Sequence, residues 1–349
     1  MKNKDIFVIV PTFNPNIKIM DKFIDELKNT FSNIVVINDG CEKKYDKYFE
    51  TLEKEKIIVL KHVVNLGKGR AIKGATNYIF NKYDDCKVIV TADCDGQHTV
   101  KDILNCGQVA LKNPDSLVIG VRDFKKSNVP WKSRCGNVIT RNIFKIFIGL
   151  NISDTQTGLR AMSKKIALKF MNVGGERYEF ETNTLIDCKI DDIKIIEEKI
   201  DTIYLDNNKE SHFNPVKDSI MIYKLFAKYL FSAGSSFILD ILLFTLFFKL
   251  LKNNDINNYI LLGTIFARII SSLYNYLINK KLVFKKFSSS SLIKYFLLVV
   301  IQMFVSGLLV NYVSLLMSFI SPVIIKIVID IFIFIVNFII EREWVFKNK

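Results

Sequence analysis

Two aspartates separated by one residue follow a short apolar run in the stretch TADCDGQH, residues 91–98. Carboxylate and amide oxygens are the ligands that Mg²⁺ and Mn²⁺ prefer, and these ions often complete their shell with substrate phosphates. Asp95 and the amide oxygen of Gln97 are spaced to reach one ion, with Asp93 beside them to orient water or a ribose. The stretch therefore predicts a site for a divalent metal and a diphosphate, although a polar turn also fits the pattern.

A second candidate for phosphate binding is HVVNLGKGRAIKGA, in which Gly67 and Gly69 flank Lys68 at the start of a predicted helix. Glycines let a backbone approach a phosphate closely, and a helix N-terminus adds a favourable dipole. The spacing excludes a P-loop, which needs a Ser or Thr directly after its lysine. The pattern fits a phosphate-binding lysine and equally a loop with a surface lysine.

Apolar runs alternate with helical segments in the first part of the chain, which is typical of an α/β doubly wound fold. The predicted strands cover residues 6–10, 33–39, 56–60, 87–93 and 116–121, and the clearest helices cover 17–29 and 69–82. Ligands bind at the carboxyl ends of the strands in such sheets. Asp39, Asp93, Asp95 and Arg122 fall at or just beyond these ends, so we expect them to meet at one edge.

Four apolar segments follow, and each is long enough to cross a hydrocarbon core of about 30 Å. They cover roughly residues 229–251, 259–279, 295–317 and 322–340. The loop between the second and third segments, residues 280–294, carries five lysines. Because lysine-rich loops stay in the cytoplasm, we predict a multi-pass cell membrane protein whose N-terminal domain and both termini are cytoplasmic.

Composition supports this division of the chain. Basic residues exceed acidic ones chiefly in the apolar C-terminal part, which predicts contact with anionic lipid headgroups and no binding of nucleic acid. Six cysteines without a CxxC pair fit a reducing compartment and argue against a disulfide framework or a zinc site.

The membrane segment contains an internal repeat. LYNYLINKKLVFKK at 273–286 matches IVNFIIEREWVFKN at 335–348, an offset of 62 residues, and 228–244 is more loosely echoed at 294–310. Two tandem hairpins in the same orientation explain this pattern. Residues 216–229 before the first span predict an interfacial amphipathic helix, either a docking element or a plain connector.

Four ionisable residues lie inside the predicted spans. Such residues are functional candidates because a charge in hydrocarbon is costly. The favoured explanation is structural: Asp240 pairs with Arg268, and Lys326 pairs with Asp330 one turn later, to hold the bundle together.

The motifs occur in a familiar order. They are VIVPTFNP, VVINDG, NLGKGRAIKG, TADCDGQH, VIGVRDF, SRCGN and DTQTGLRAMS. This series resembles the family-2 glycosyltransferases of the polyprenyl-phosphate type, which include dolichol-phosphate mannose and glucose synthases. The C-terminal part is similar to GtrA-like membrane domains. The resemblance implies a GT-A (Rossmann-like) domain at 1–215, the amphipathic helix at 216–229, and a four-helix transmembrane domain at 230–349.

The resemblance also implies roles for individual residues. Asp39 would contact the nucleotide base in a pocket lined by Pro11 and Thr12, and Glu179 or Glu181 would touch the sugar. The metal would be held by Asp95, Gln97 and Asp93, and the nucleotide sugar would also contact Asp93 and Lys68. The acceptor phosphate would be held by Arg122, Arg134, Asn137 and Arg160, and the catalytic set would be Asp93, Asp95, Arg122 and Arg134.

Two departures from the family pattern lie in the implied nucleotide pocket. The usual Asn-Glu after the first strand is Asn14-Pro15, and the usual Asp-Asp-Gly-Ser is the run from Asn38 to Cys41. The choice between UDP-glucose and GDP-mannose as donor therefore stays open.

The expected reaction is transfer of a hexose from a nucleotide sugar to a polyprenyl phosphate, with inversion and with Mg²⁺ or Mn²⁺, in cell envelope glycan biosynthesis. A phosphate monoester is largely dianionic at pH 7 and is therefore a ready nucleophile. One alternative is a processive polysaccharide synthase, although the chain lacks a QxxRW segment. Another is a lipid-linked sugar flippase with a regulatory soluble domain. A homo-oligomer is left open.

Overall fold

The computed structural model describes residues 2–124, 129, 131–201, 215–253, 259–284, 291–317, 319–320 and 322–345. The chain divides into two compact units, Met1–Ser219 and Ile220–Lys349. We call them the N-terminal unit and the C-terminal unit.

Strands and helices alternate through the N-terminal unit, as the sequence predicted. The strands are β1 (Asn3–Thr12), β2 (Phe31–Asp39), β3 (Ile58–His62), β4 (Val88–Thr91), β5 (Ser116–Val121), β6 (Arg160–Ser163) and β7 (Lys194–Lys199). The helices are α1 (Ile17–Thr30), α2 (Asp46–Lys54), α3 (Lys68–Lys82), α4 (Val100–Lys112), α5 (Trp131–Ile143), α6 (Lys164–Phe170) and α7 (Glu179–Ile190).

The seven strands form one sheet in the order β3-β2-β1-β4-β6-β5-β7. All neighbours are parallel except β6, which runs antiparallel to β4 and β5. The α/β prediction is confirmed. The chain winds outward from β1 to β3 and then returns to place β4 on the other side of β1. This reversal leaves a crevice at the carboxyl ends of β1 and β4, where ligands bind in doubly wound sheets.

Burial in the core explains the continuous apolar runs of the predicted strands. Every residue from Ile6 to Val10 is fully buried, because the central strand is covered by helices on both faces. The strands β6 and β7 were not predicted. β6 has only four residues, and four of the six residues of β7, KIIEEK, are charged because it lies at the edge of the sheet.

Within the described residues, four α-helices belong wholly or mainly to the C-terminal unit. They are α8 (Pro215–Asn253), α9 (Tyr259–Ile278), α10 (Ser291–Leu316) and α11 (Pro322–Ile340). Within the described residues, one helix, Ala227–Leu251, is long and apolar enough to cross a membrane. The predicted amphipathic helix at 216–229 is continuous with the first span in α8, and most of its side chains lie outside the described residues. The count of four spans stays a prediction.

The internal repeat is visible in the packing of the C-terminal unit. Asn279 and Glu341 occupy equivalent positions of the two repeats, and the Asn279 amide donates a hydrogen bond of 2.9 Å to the buried Glu341 carboxylate. Tyr229 also lies within reach of Glu341, and its counterpart Tyr295 donates to Asn275 at 2.9 Å. The two hairpins are therefore joined through equivalent polar residues.

The expected ion pair between the first two spans is present. Arg268 lies 3.4 Å from Asp240, which also accepts a hydrogen bond of 2.7 Å from Ser271. The predicted pairing of these two charges is confirmed, and their structural role stays a prediction. The Lys326 and Asp330 side chains lie outside the described residues.

The Asn279–Glu341 contact predicts the effect of Asn279→Leu. This change leaves a buried carboxylate without its amide donor, so we expect the free energy of unfolding to fall by about 1–3 kcal/mol. The thermal unfolding midpoint of the detergent-solubilised protein measures the change. Glu341→Gln, which keeps an acceptor for Asn279, serves as the control and should lose less. An Asn279→Leu midpoint equal to the wild-type value would contradict the prediction.

Candidate active site

A cavity of about 380 Å³ opens at the carboxyl ends of β1, β2 and β4. Six residues singled out from the sequence line it: Pro11, Thr12, Asp39, Lys68, Asp93 and Asp95. They come from separate strand ends, and the topology of the sheet brings them together. The cavity is thus located at the edge where ligands were expected.

Lys68 is the electrostatic centre of the cavity. Its ammonium lies 2.5 Å from Asp93 and 2.8 Å from Glu181, and its side chain is largely buried. Burial lowers the pKa of Lys68, but the two carboxylates outweigh this effect and hold the pKa above its ordinary value. Burial likewise raises the pKa of Asp93, and Lys68 with His98 reverses that shift and lowers it. The pair is therefore ionised at neutral pH.

The pKa of Asp95 is shifted in the opposite direction from the pKa of Asp93. Burial and the neighbouring charge of Asp93 raise the pKa of Asp95. One of its oxygens accepts the Gln97 backbone N–H at 3.0 Å, and no ion pair to Asp95 is formed within the described part of the chain. A cation bound here would relieve the repulsion between the two carboxylates.

These residues fit a divalent metal that shares its shell with a substrate. Among the described residues, no group of three or more His, Cys, Asp or Glu side chains could hold an ion alone. Asp95, Gln97 and Asp93 would contribute oxygen ligands, and the oxygens of a diphosphate would have to supply the remainder.

Asp39 lines the cavity, but its carboxylate is already engaged. One oxygen accepts the Leu66 backbone N–H at 2.9 Å and contacts His62 Nδ1 at 2.7 Å, and the other accepts the Gly67 N–H at 2.8 Å. The geometry supports a role in fastening the loop before α3. Its implied contact with the nucleotide base stays a prediction.

The glycines around Lys68 have a packing role that the sequence did not predict, and their approach to a phosphate stays a prediction. The Gly67 N–H is bound to Asp39, and the Arg70 N–H at the start of α3 is bound to the Glu176 carbonyl at 2.9 Å. A Cβ on Gly67 or Gly69 would collide with the segment 176–180. The glycines therefore allow that segment to pack against α3, and the packing holds Lys68 inside the cavity.

Of the two candidate glutamates, only Glu181 contacts Lys68. Glu179 instead accepts the Glu176 backbone N–H at 3.2 Å and so stabilises the loop before α7. Arg160, buried beneath the site, donates to the Glu181 carbonyl and to Thr184, both at 2.6 Å. Arg160 thus fixes the start of α7, and its implied contact with the acceptor stays a prediction.

The other candidate acceptor residues lie near the end of β5. Arg122 forms a two-pronged ion pair with the buried Asp154, at 2.7 and 3.2 Å. Asn137 is buried in α5 and donates to the Ser153 carbonyl at 2.8 Å, whereas Arg134 is exposed on the same helix. Within the described residues, none of these three lines the cavity.

Several residues of the site were missed in the sequence. Arg177 and Tyr178 line the cavity, and Arg177 donates to Asn65 at 3.0 Å across its rim. Gly158 lies so close to Asp93 and Lys68 that a Cβ would collide with both side chains. The only signal for Arg177 and Tyr178 in the sequence is their position in RYEFET, directly before the two candidate glutamates.

The two loops that carry the departures from the expected motifs contact each other. Asn14 donates its backbone N–H to Cys41 Sγ at 3.2 Å and its side-chain amide to Glu42 at 3.1 Å, and the Glu42 N–H returns a bond of 3.0 Å to Asn14. The loops after β1 and β2 are therefore linked at the rim of the cavity.

Two protein-family models match the chain. Residues 7–170 match glycosyl transferase family 2, and residues 218–346 match the GtrA/DPMS transmembrane domain. An uncharacterized protein of Methanocaldococcus jannaschii is 34% identical over 238 residues, which are 66% of this chain and 94% of that protein.

A second relative has a described activity. The UDP-N-acetylglucosamine–dolichyl-phosphate N-acetylglucosaminyltransferase of Methanococcus voltae is 30% identical over 247 residues, 64% of this chain and 96% of that protein. Among solved structures, glucosyl-3-phosphoglycerate synthase of Mycobacterium tuberculosis aligns with a TM-score of 0.48 at 14% identity, over 64% of this chain and 76% of that one.

The ion pairs of Lys68 predict a pH-dependent loss of stability in Lys68→Met. In the wild type, the lowered pKa of Asp93 stabilises the fold above its unfolded pKa of about 4, and this contribution is lost as the pH falls. In the variant, Asp93 and Glu181 lose the cation that they share, so we expect a loss of about 3 kcal/mol at pH 7. The loss should shrink towards pH 4, because protonation of Asp93 removes the charge that Lys68 balances in the wild type.

Thermal unfolding in a chelating buffer at the two pH values measures this difference. Lys73→Met is the matched control, because that lysine of the same helix donates to the backbone carbonyls of Val173 and Gly175. A Lys68→Met loss that is the same at both pH values would contradict the assigned charges.

Proposed function

Since the chain belongs to glycosyltransferase family 2 and ends in a GtrA/DPMS transmembrane domain, we propose that it transfers a sugar from a nucleotide sugar to a polyprenyl phosphate. The reaction would occur at the cytoplasmic face of the membrane. The observation that carries the proposal is the cavity in which Lys68, Asp93 and Asp95 converge at the carboxyl edge of the sheet.

The donor would bind with its diphosphate at the two aspartates. A bound Mg²⁺ or Mn²⁺ would offset the charge of the leaving nucleoside diphosphate. Lys68 holds Asp93 in a fixed position for this task. The hydrogen bonds from the backbone to the Asp39 carboxylate hold the loop directly before Lys68. Arg177 at the rim adds a guanidinium suited to a phosphate or to the base.

The acceptor would be the nucleophile. A phosphate oxygen of the lipid attacks the anomeric carbon while the bond from that carbon to the diphosphate oxygen breaks, which inverts the configuration. A phosphate monoester needs no general base at pH 7 because it is already largely a dianion. Arg134, with Arg122 and Asn137 nearby in sequence, would steer it and reduce its repulsion from the donor.

The donor nucleotide would be selected by the pocket that carries the two motif departures, and three donors are candidates. UDP-glucose and GDP-mannose follow from the motif pattern, and UDP-N-acetylglucosamine follows from the name of the Methanococcus voltae relative. We do not propose lipid-linked sugar transport as the main activity, because the cavity of the N-terminal unit brings together the residues predicted to hold a metal and a diphosphate.

The decisive experiment offers membranes containing the protein a panel of radiolabelled nucleotide sugars with polyprenyl phosphate. We expect one donor to yield a labelled, organic-extractable lipid, and chelation of divalent metals to abolish it. Asp95→Asn should lower the rate about 100-fold or more, because it removes charge stabilisation in the reaction centre. Asp85→Asn, at an exposed position before β4, is the matched control. Label that appears only in polymer would favour the processive synthase.

Replacement of the exposed arginine of α5 tests the acceptor assignment. Arg134→Ala should lower turnover of polyprenyl phosphate about 10-fold or more, and Arg134→Lys should restore part of it, since Lys keeps the charge without the two-pronged grip. A short, water-soluble prenyl phosphate should show the same loss. Unaltered turnover in Arg134→Ala would end the assignment.

A further inference from the structure

A network of polar side chains, most of them buried, joins the helices of the C-terminal unit. The Asn279 amide donates to Asn275 Oδ1 and to the Glu341 carboxylate, at 2.9 Å in both cases. Tyr295 of α10 donates to Asn275 at 2.9 Å, and the Tyr229 hydroxyl of α8 lies 3.5 Å from Glu341. We call these five residues the polar centre. The helices α8, α9 and α10 and the turn after α11 each contribute to it.

Glu341 supplies the carboxylate of the polar centre, and its hydrogen-bond donors are neutral, an amide and a phenol. No basic side chain in the described ranges forms an ion pair with it. The neighbouring Arg342 pairs with Glu343 at 2.9 Å, and Arg268 pairs with Asp240 at 3.4 Å. Because an ionised carboxylate is costly to bury without a cation, the polar centre lacks one positive charge.

Two further oxygens at the polar centre have no hydrogen-bond partner in the part of the chain that the structure describes. They are Asn279 Oδ1 and Ser232 Oγ, and both side chains are fully buried. Ser232 lies one turn after Tyr229 on α8, and its carbonyl accepts from Asn275 at 3.3 Å. Buried acceptors beside a carboxylate require a donor or a cation. A water molecule would satisfy the lone pairs but would leave the charge uncompensated.

We propose that the polar centre binds one monovalent alkali cation, Na⁺ or K⁺, through the Glu341 carboxylate, Asn279 Oδ1 and Ser232 Oγ. One carboxylate balances one positive charge, whereas a divalent ion would leave a positive charge buried. Oxygens at irregular points of membrane helices are ligands of this kind for Na⁺. The stretches Asn279–Phe284 and Glu341–Val345 are π-helical turns, which are frequent at functional sites. The site is separate from the divalent-metal site and does not rest on the proposed function.

The cation would act as a joint between the two repeats. Asn279 and Glu341 occupy equivalent positions of the two hairpins, and Ser232 belongs to the first of them. The lysine-rich loop that we predict to be cytoplasmic begins directly after Asn279. The ion would therefore enter from the cytoplasm, and its removal would weaken the contact between the hairpins.

Thermal unfolding of the detergent-solubilised full chain tests the site. The protein is titrated with NaCl or KCl, and N-methylglucamine chloride keeps the ionic strength constant. We expect Na⁺ or K⁺ to raise the unfolding midpoint by about 2–4 °C at ten times its half-effective concentration, because it binds only the folded state. Glu341→Gln should abolish the rise, since the amide has no charge. Ser232→Ala, which removes only one ligand oxygen, should raise the half-effective concentration about tenfold.

Glu343→Gln is the matched control, because this carboxylate of the same π-helical turn pairs with Arg342, and it should keep the full rise. Binding of radioactive sodium, or of rubidium in place of potassium, should give about one ion per chain, since one carboxylate balances one charge. Equal midpoints in all three salts would overturn the proposal, as would a rise that persists in Glu341→Gln. A midpoint that falls with rising pH and ignores alkali cations would show that Glu341 holds a proton, which also overturns it.

Discussion

The buried ammonium of Lys68 between Asp93 and Glu181 is the interaction on which the candidate site depends. It joins the end of β4, the start of α3 and the start of α7, which are otherwise separate parts of the chain. A buried lysine with a single carboxylate would repay little of its desolvation, whereas two carboxylates keep it charged. The surrounding structure maintains this geometry: Asp39 fastens the loop before Lys68, and Arg160 fixes the helix that carries Glu181.

The same arrangement shifts the pKa values of the two aspartates of the motif in opposite directions. Asp93 is neutralised by a cation of the protein, whereas burial and the charge of Asp93 raise the pKa of Asp95. The protein thus supplies one positive charge permanently and leaves the second carboxylate for a cation that arrives with its ligand. Gly158 contributes by having no side chain, because a Cβ would displace both Asp93 and Lys68.

The two units suit the two kinds of substrate expected, one soluble in water and one held in the membrane. A nucleotide sugar is water-soluble, and the crevice of a doubly wound sheet suits it. A polyprenyl phosphate stays in the membrane, and the C-terminal unit belongs to a transmembrane family. The two repeats of that unit are joined by a hydrogen bond between equivalent residues, from the Asn279 amide to the Glu341 carboxylate.

Sequence alone determined the strands β1 to β5, the Asp93–Asp95 motif at a strand end, the Asp240–Arg268 pair and the internal repeat. These features depend on local periodicity and on short motifs. Only the tertiary structure decided that Glu181 and not Glu179 contacts Lys68, that Asp39 binds a loop, that the glycines admit a neighbouring segment, and that Arg177 reaches the cavity. Each of these contacts joins residues far apart in the chain, and the way the helices pack against the sheet determines which side chains meet.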